Sequence, residues 1–404
     1  MTVETVATPV GPVIPAPAPV TVTDNRLGCG EYEAVIMTRG GQQIVGFLPV
    51  SSAEWHRVLD DTSTGQAVIG GVGGALSREC CKTLDVIEPW VHELGLFRSG
   101  QRAWCGPIVE PVMDRNSDSA TIAARDVSVW LDRRVLHVDH NYKTPGPDLS
   151  VIFTDYFNDA MLLENSAGLT ITATPCGVTG SRATLATDCV SAGSQIRELS
   201  RTGIDWTTID REILVGGSVV GAAPLTILYD DHFSQPPQVA LDGLAQATKW
   251  YVVGAGKGRN MALGTAQAPD ALIQKYGLLE QAVKEPLILD QGSADAAAGS
   301  RLSLTAKPPG VIQSGILSPL APITLAQLVP GMIIRVLLVS TCYAVDGVYR
   351  LKSVDATVSP DQDEQIGRVA AGEGHEQAKE AGYQQHHHRP GLWRYAEPIP
   401  VNEV

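Results

Sequence analysis

The chain has 404 residues, 44% of them hydrophobic, with 40 Gly, 26 Pro and a formal net charge of −14 from 30 Lys+Arg against 44 Asp+Glu. That length exceeds one ordinary hydrophobic core and calls for two or three domains, while short β-branched runs between Gly and Pro predict a mainly β fold with short helices. The acidic balance, with no cluster of five or more Lys or Arg, excludes a basic nucleic-acid patch and argues against adhesion to anionic membranes.

Residues 1–25 carry Pro9, Pro12, Pro15, Pro17 and Pro19 among Val, Ala and Thr, which predicts an extended arm. The first Lys or Arg is Arg26, so the basic start of a secretory signal peptide is not expected. A first β-domain is expected over 26–142. In it Tyr32, Ala34 and Ile36 alternate, Arg39-Gly40-Gly41 turns the chain into Ile44–Leu48, and Val91–Phe97 forms a hairpin with Ala103–Val109 through Ser99-Gly100. Asp126 is placed to cap a short helix carrying Trp130 and Leu131. Pro145-Gly146-Pro147 marks a boundary, and a second, α+β domain is expected over 143–238. Its helices carry Phe153, Phe157, Ala160 and Met161, then Ile196 and Leu199 before Gly203. Strands follow over Ile213–Leu228, and Ser234-Gln235-Pro236-Pro237 punctuates the chain again. The third, β-rich domain spans 239–360: a short helix over Val239–Trp250, then strands at Tyr251–Val253, Leu302–Ala306, Ile333–Val339 and Tyr349–Val358, the last bulged near Ser353. The apolar run Met332–Val339 is broken by Arg335 and falls short of the roughly 18 residues that span a bilayer, so no membrane insertion is expected. Residues 361–404 are polar, then aromatic at Trp393 and Tyr395, which predicts a flexible or partner-bound tail.

Chemistry is sparse. Gly254-Ala255-Gly256-Lys257-Gly258-Arg259 has Gly258 where a phosphate-binding loop needs Ser or Thr, and Arg259 where a dinucleotide fingerprint needs Gly, so a hairpin turn is expected. Cys105, with His92 and His137 nearby in sequence, is the one candidate thiol nucleophile, but its apolar strand favours a buried structural thiol. Asp60-Asp61, Asp230-Asp231 and Asp205 with Asp210 are candidate carboxylate pairs, for which solvated turns are the ordinary explanation. Asp230-Asp231-His232 carries ligand types without a second cluster, and His386-His387-His388 is a polar tract that would bind a transition metal only if one His from each chain of a trimer met on its axis. The seven cysteines include adjacent Cys80 and Cys81 and no C-x-x-C, the pattern of reduced thiols in a protein assembled in a cytosol. No catalytic residue, metal site or cofactor is therefore assigned.

Four segments carry a family resemblance. They are Ala53-Glu54-Trp55-His56-Arg57-Val58-Leu59-Asp60-Asp61-Thr62-Ser63; Glu88-Pro89-Trp90-Val91-His92-Glu93-Leu94 leading into Trp104-Cys105-Gly106-Pro107-Ile108; Ala123-Ala124-Arg125-Asp126 with Trp130-Leu131-Asp132-Arg133-Arg134; and Gly203-Ile204-Asp205-Trp206-Thr207. In this order they resemble tail-tip hub proteins, the minor tail proteins of siphophages that infect actinobacteria, over roughly 26–360. The resemblance implies a multi-domain tail-hub fold whose barrel-like β-domains form a trimeric ring continuing the tail tube. It also implies a non-enzymatic virion component at the tail tip, assembled in the host cytoplasm. The implied partners are a homotrimer, the distal tail protein, the tape measure protein and other minor tail proteins, with DNA only as passing cargo. A tail-associated cell-wall hydrolase and a receptor-binding tip protein are the alternatives. The first needs a catalytic constellation, the second aromatic clusters or fibrous repeats, and only 5% of the residues are aromatic.

Overall fold

The computed structural model describes residues 27, 30–70, 84–114, 116, 119–143, 145–216, 226–241, 243–256, 258, 261–285, 288–307, 310–339, 344–359, 362–367 and 371–373. The arm over 1–25, the His386–His388 tract and the aromatic segment around Trp393 lie outside these residues.

Period-two alternation builds the first seven strands: β1 (Tyr32–Thr38), β2 (Ile44–Leu48), β3 (Ser52–Val58), β4 (Thr64–Gly70), β5 (His92–Arg98), β6 (Gln101–Asp114) and β7 (Ser119–Arg125). In β3 the residues Ala53, Trp55 and Arg57 face inward. Arg57 is tolerated there because its guanidinium donates to the carbonyls of Leu325, Leu328 and Ala103 at 3.0–3.3 Å and stacks on Trp55. Burial lowers its pKa to about 10. The hairpin of β5 and β6 turns at Ser99-Gly100, as the alternation and the glycine predict.

Strand β6 has 14 residues and serves two partners. Its first half, up to Pro107, pairs with β5; from Ile108 onward it pairs with β7, across a bulge between Ile108 and Glu110. Gly106 sits at the bend against the Arg125 carbonyl, so close that any Cβ would clash with that backbone. The sheet order is therefore β2-β1-β5-β6-β7-β4-β3.

An α/β module follows, with α1 (Val129–Asp132), β8 (His140–Tyr142), α2 (Leu149–Met161), β9 (Thr170–Thr174), β10 (Arg182–Thr184), α3 (Ala192–Ser200), β11 (Trp206–Ile209) and β12 (Glu212–Gly216). Asp126 does not cap α1 as expected; Ser128 holds that position, and the buried Asp126 carboxylate instead accepts from Ser128 and Ser63. Helix α2 is where Phe153, Phe157 and Ala160 predict it, capped by Asp148. Its apolar face, with Ile152, Phe153, Tyr156 and Phe157, packs with Ile196, Leu199, Trp206 and Val215 in the module's core.

Beyond it come β13 (Thr226–Tyr229), β14 (Phe233–Leu241), β15 (Lys249–Val253), β16 (Leu263–Gln267), α4 (Asp270–Tyr276), β17 (Glu280–Lys284), α5 (Gln291–Thr305), β18 (Gly310–Leu317), β19 (Ile333–Val339), β20 (Ala344–Leu351), β21 (Ser353–Ser359), β22 (Gln362–Gly367) and β23 (Ala371–Glu373). Two expectations are corrected here. Val239–Trp250 is not a helix: β14 runs to Leu241, carrying Pro236-Pro237 in an irregular register, and β15 begins at Lys249. Leu302–Ala306 is not a strand but the end of α5, whose buried face is made of Ala294, Ala297 and Ala298. Residues 247–302 thereby form a small core of their own around Trp250 and Val252.

The remaining C-terminal strands rejoin the main sheet in the order β21-β22-β18-β23-β20-β19-β13, with β14 on β18, and β21 pairs antiparallel with β3. One hydrophobic core consequently draws on residues from Leu27 to Ala124 and from Leu228 to Ile366. The sheet also runs past Pro360, into the stretch that the sequence predicts to be a tail. Ile366 is buried there, and the Glu364 side chain is fully enclosed. That carboxylate accepts from Arg98 Nε and Nη2 at 2.6 and 2.7 Å, from Tyr32 OH at 2.7 Å and from Gly30 N at 3.2 Å. Arg98 and the other donors hold it below the usual carboxylate range, and burial beside it raises the Tyr32 phenol. Mainly β architecture with few helices is as expected; among the described residues the main sheet is an open path ending at β13 and β2, with no closed barrel.

Two outcomes follow for stability. Glu364→Gln leaves Arg98 buried without its counter-charge and should cost about 3–5 kcal/mol, read as a loss in urea midpoint at unchanged slope. Gly106→Ala should prevent the β6 bend and yield little folded protein, whereas Gly100→Ala, which meets no atom, should cost only the strain of its positive φ. Equal stability of the two glycine variants would contradict the role given to the bend.

Candidate assembly interface

The Gly40-Gly41 turn, both residues at positive φ, delivers β2 to the end of the main sheet. Among the described residues β2 pairs with β1 alone, so its other edge presents unpaired backbone groups. Natural edge strands are commonly blunted by Lys, Pro or inward charge; Ile44-Val45-Gly46-Phe47-Leu48 has none of these. Ile44 packs toward the α/β module and Leu48 enters the main core. The alternate residues Val45 and Phe47 face outward and are 41% and 54% exposed. At the far end of the sheet Tyr229 of β13, Val339 of β19 and the loop residue Leu320 are exposed as well. Both ends of one sheet thus carry apolar side chains at the surface, the composition of a contact area.

The β2 end is braced by charge. Buried Glu93 accepts from Gly40 N at 3.0 Å and pairs with Arg211, which also donates to the Ala167 carbonyl. Arg102 grips Asp210 with two bonds of 2.6 Å. Asp210 and Arg211 form the turn between β11 and β12, so these pairs tie the α/β module to β5, β6 and the β1–β2 turn.

This network absorbs the candidate nucleophile. Cys105 Sγ lies 3.2 Å from Asp210 Oδ1, and burial first, then Asp210, push the thiol well above its ordinary pKa. That is the opposite of an activated thiolate. Neither candidate histidine is its partner: His92 Nδ1 accepts from Glu88 N, and His137 lies against Asp159. Asp205 pairs with Arg350 at 2.6 Å and not with Asp210. Asp60, at positive φ, accepts from Trp206 N, while Asp61 is exposed. Asp230-Asp231-His232 form a single helical turn before β14, with Asp230 bonded to Val339 N and His232 to Tyr229 N. Among the described residues no three His, Cys, Asp or Glu are arranged to hold a metal ion. The Gly254 loop connects antiparallel β15 and β16, a hairpin as expected; Lys257 and Arg259 lie outside the described residues. No sequence signal links Glu364 to Arg98 or Asp210 to Arg102, because their separations in the chain are 266 and 108 residues.

No protein-family model matches this chain, and no curated protein sequence matches it. Its fold does match solved structures. The 43 kDa tail protein of prophage MuSo2 from Shewanella oneidensis superposes with a TM-score of 0.57 at 12% identity, over 85% of this chain and 98% of that one. The tail protein from Neisseria meningitidis MC58 gives 0.57 at 12% identity, covering 85% and 97%. Prophage tail protein gp18 from Listeria monocytogenes EGD-e gives 0.54 at 12% identity, covering 84% and 94%. Over most of its length the chain has the fold of phage tail proteins.

Proposed function

We propose that this chain is a structural hub protein of a siphophage tail tip, working as a homotrimeric ring that continues the tail tube. The observation that carries the reading is the extent of the fold match, 85% of this chain against 98% of a tail protein. The sequence segments that resemble minor tail proteins of actinobacterial phages narrow the reading to that group. The distal tail protein, the tape measure protein and other minor tail proteins are the neighbours such a ring would contact. The environment of Cys105 speaks against a thiol hydrolase that uses this residue.

A ring also suits the sheet. Two open ends with outward Val45 and Phe47 at one and Tyr229 and Val339 at the other are compatible with a head-to-tail contact between copies, which closes if the rotation permits. With −14 per chain, three chains around a bore would place part of their acidic excess toward passing DNA. Repulsion of phosphates within the roughly 8 Å screening length keeps a duplex from sticking, whereas a basic wall would hold it through counterion release.

The double variant Val45→Lys with Phe47→Lys should fold as the wild type, with a stability change within about 0.5 kcal/mol, and fail to enter tails. Normal tail assembly by that variant would remove β2 from the interface. A cryo-EM map of the intact tip should show three copies in one layer around an acidic bore; a neutral bore would leave the acidic excess as a matter of outer-surface solubility. Six copies, a single off-axis copy or a net positive wall would each overturn the part of the proposal it addresses.

A further inference from the structure

The α/β module meets the main sheet along β11, and the two ends of that strand are held differently. At its far end, the turn Asp210-Arg211 is gripped by Arg102 and Glu93 in complete ion pairs. At its near end Asp60 is held by the backbone of Trp206, next to Asp205. Asp60 follows β3 in the left-handed region, at φ 65°. Its N–H donates to the Trp206 carbonyl at 2.8 Å, and its Oδ1 accepts from Trp206 N at 3.0 Å. Leu59 bridges to Thr207, whose hydroxyl donates to the Val58 carbonyl. Leu59 N in turn donates to the carbonyl of Lys352, between β20 and β21. Asp205 adjoins this contact and is held by Arg350 of β20. Three segments distant in sequence thus converge on two carboxyl groups, faced by Arg350 and Lys352. Neighbouring Asp61 points out of the cluster to Arg197 of α3.

We propose that Asp60, set among Asp205, Arg350 and Lys352, is a proton-dependent latch between the α/β module and the main sheet, with the Arg102–Asp210 end of β11 as its hinge. Burial first, then the charge of Asp205, raise the Asp60 carboxyl from 3.8 to about 7, while the Trp206 N–H, Arg350 and Lys352 pull the other way. A raised folded-state pKa means that the latched form binds a proton which the open form releases. The stabilisation is complete below the ordinary carboxylate range and is lost as pH rises through about 7. The latch is firm below about pH 3.8 and loosens as pH rises from there to about 7.

One other group on β3 has the same sign. His56 bonds Asp355 of β21 at 2.6 Å and Glu54 at 2.7 Å, and Asp355 holds its pKa above 6.5 despite burial. Its protonated form strengthens the ladder of β3 with β21, so the latch must be read locally.

The test is amide hydrogen exchange of the full chain at Asp60 and Trp206 between pH 5 and pH 8, corrected for intrinsic exchange. Opening at these two amides should rise by about tenfold per pH unit, the slope of one released proton, and level off above about 7. Asp60→Asn tolerates the left-handed φ and keeps the oxygen that accepts from Trp206 but cannot ionise, so its opening should be flat with pH. His56→Gln should leave the slope in place. Asp205→Asn removes the nearest like charge and should move the levelling point to lower pH, a readout that stands if Asp60→Asn fails to fold. A flat wild-type profile, an unchanged slope in Asp60→Asn, a slope lost with His56→Gln, or an unmoved levelling point in Asp205→Asn would each overturn the proposal.

Discussion

Everything in this architecture depends on the ladder between β3 and β21, which pairs Val58 with Ser353 and continues to Ala53 with Val358. It closes a loop containing the whole α/β module and the small Trp250 core. Without it, the strands before residue 125 and those after 310 would be two half-sheets, each with an apolar face and too little to cover it. With it, Trp55 and Ile122 share one core with Val354 and Ile366. The Arg98–Glu364 pair adds a second tie to the same closure, between β5 and β22. Such a buried pair adds little stability relative to an apolar substitute, but breaking it by removing one partner is costly, because four donors converge on Glu364.

The cross-module contacts share a chemistry. Arg102 with Asp210, Arg211 with Glu93 and Arg350 with Asp205 all place a guanidinium on a carboxylate. A planar fork fits a carboxylate in one orientation, so these pairs set angles between modules as apolar patches cannot. Asp60 is the exception in this series, a carboxyl held by a backbone amide, and it is where protonation can alter the joint.

The sequence is legible where local pattern and tertiary burial agree. The β5–β6 hairpin shows through alternation with Ser99-Gly100 between, and α2 shows through Phe153, Phe157 and Ala160 on one face. Trp55, Trp104 and Trp206, which stand in the segments that carry the resemblance, are buried in the cores. Helix α5 is illegible because its buried face is alanine, which carries no periodic contrast against Ser and Gly, and Leu302 alone suggests a strand. The Val239–Trp250 error arises from Leu241 and Leu244, which fit a helical spacing although Leu244 is 94% exposed. The strand character after Pro360 is hidden by Glu364 and Gln365, polar residues whose place in the sheet depends on Arg98 and Tyr32 far upstream. The ends of the sheet are equally hidden, since no local pattern says which strand will be last.

The 299 residues separating His56 from Asp355 also bear on timing. A ribosome adding about 5–20 residues per second needs roughly 15–60 s to pass from β3 to β21. Throughout that interval β3 has β4 on one edge and nothing of β21 on the other, and the main core lacks the half contributed by Leu228–Ile366. For the ring proposed above, a nascent subunit would be an incomplete mate for any other copy until nearly its last described strand has emerged. Competence to assemble would then be a property of the finished chain, with synthesis itself as the clock.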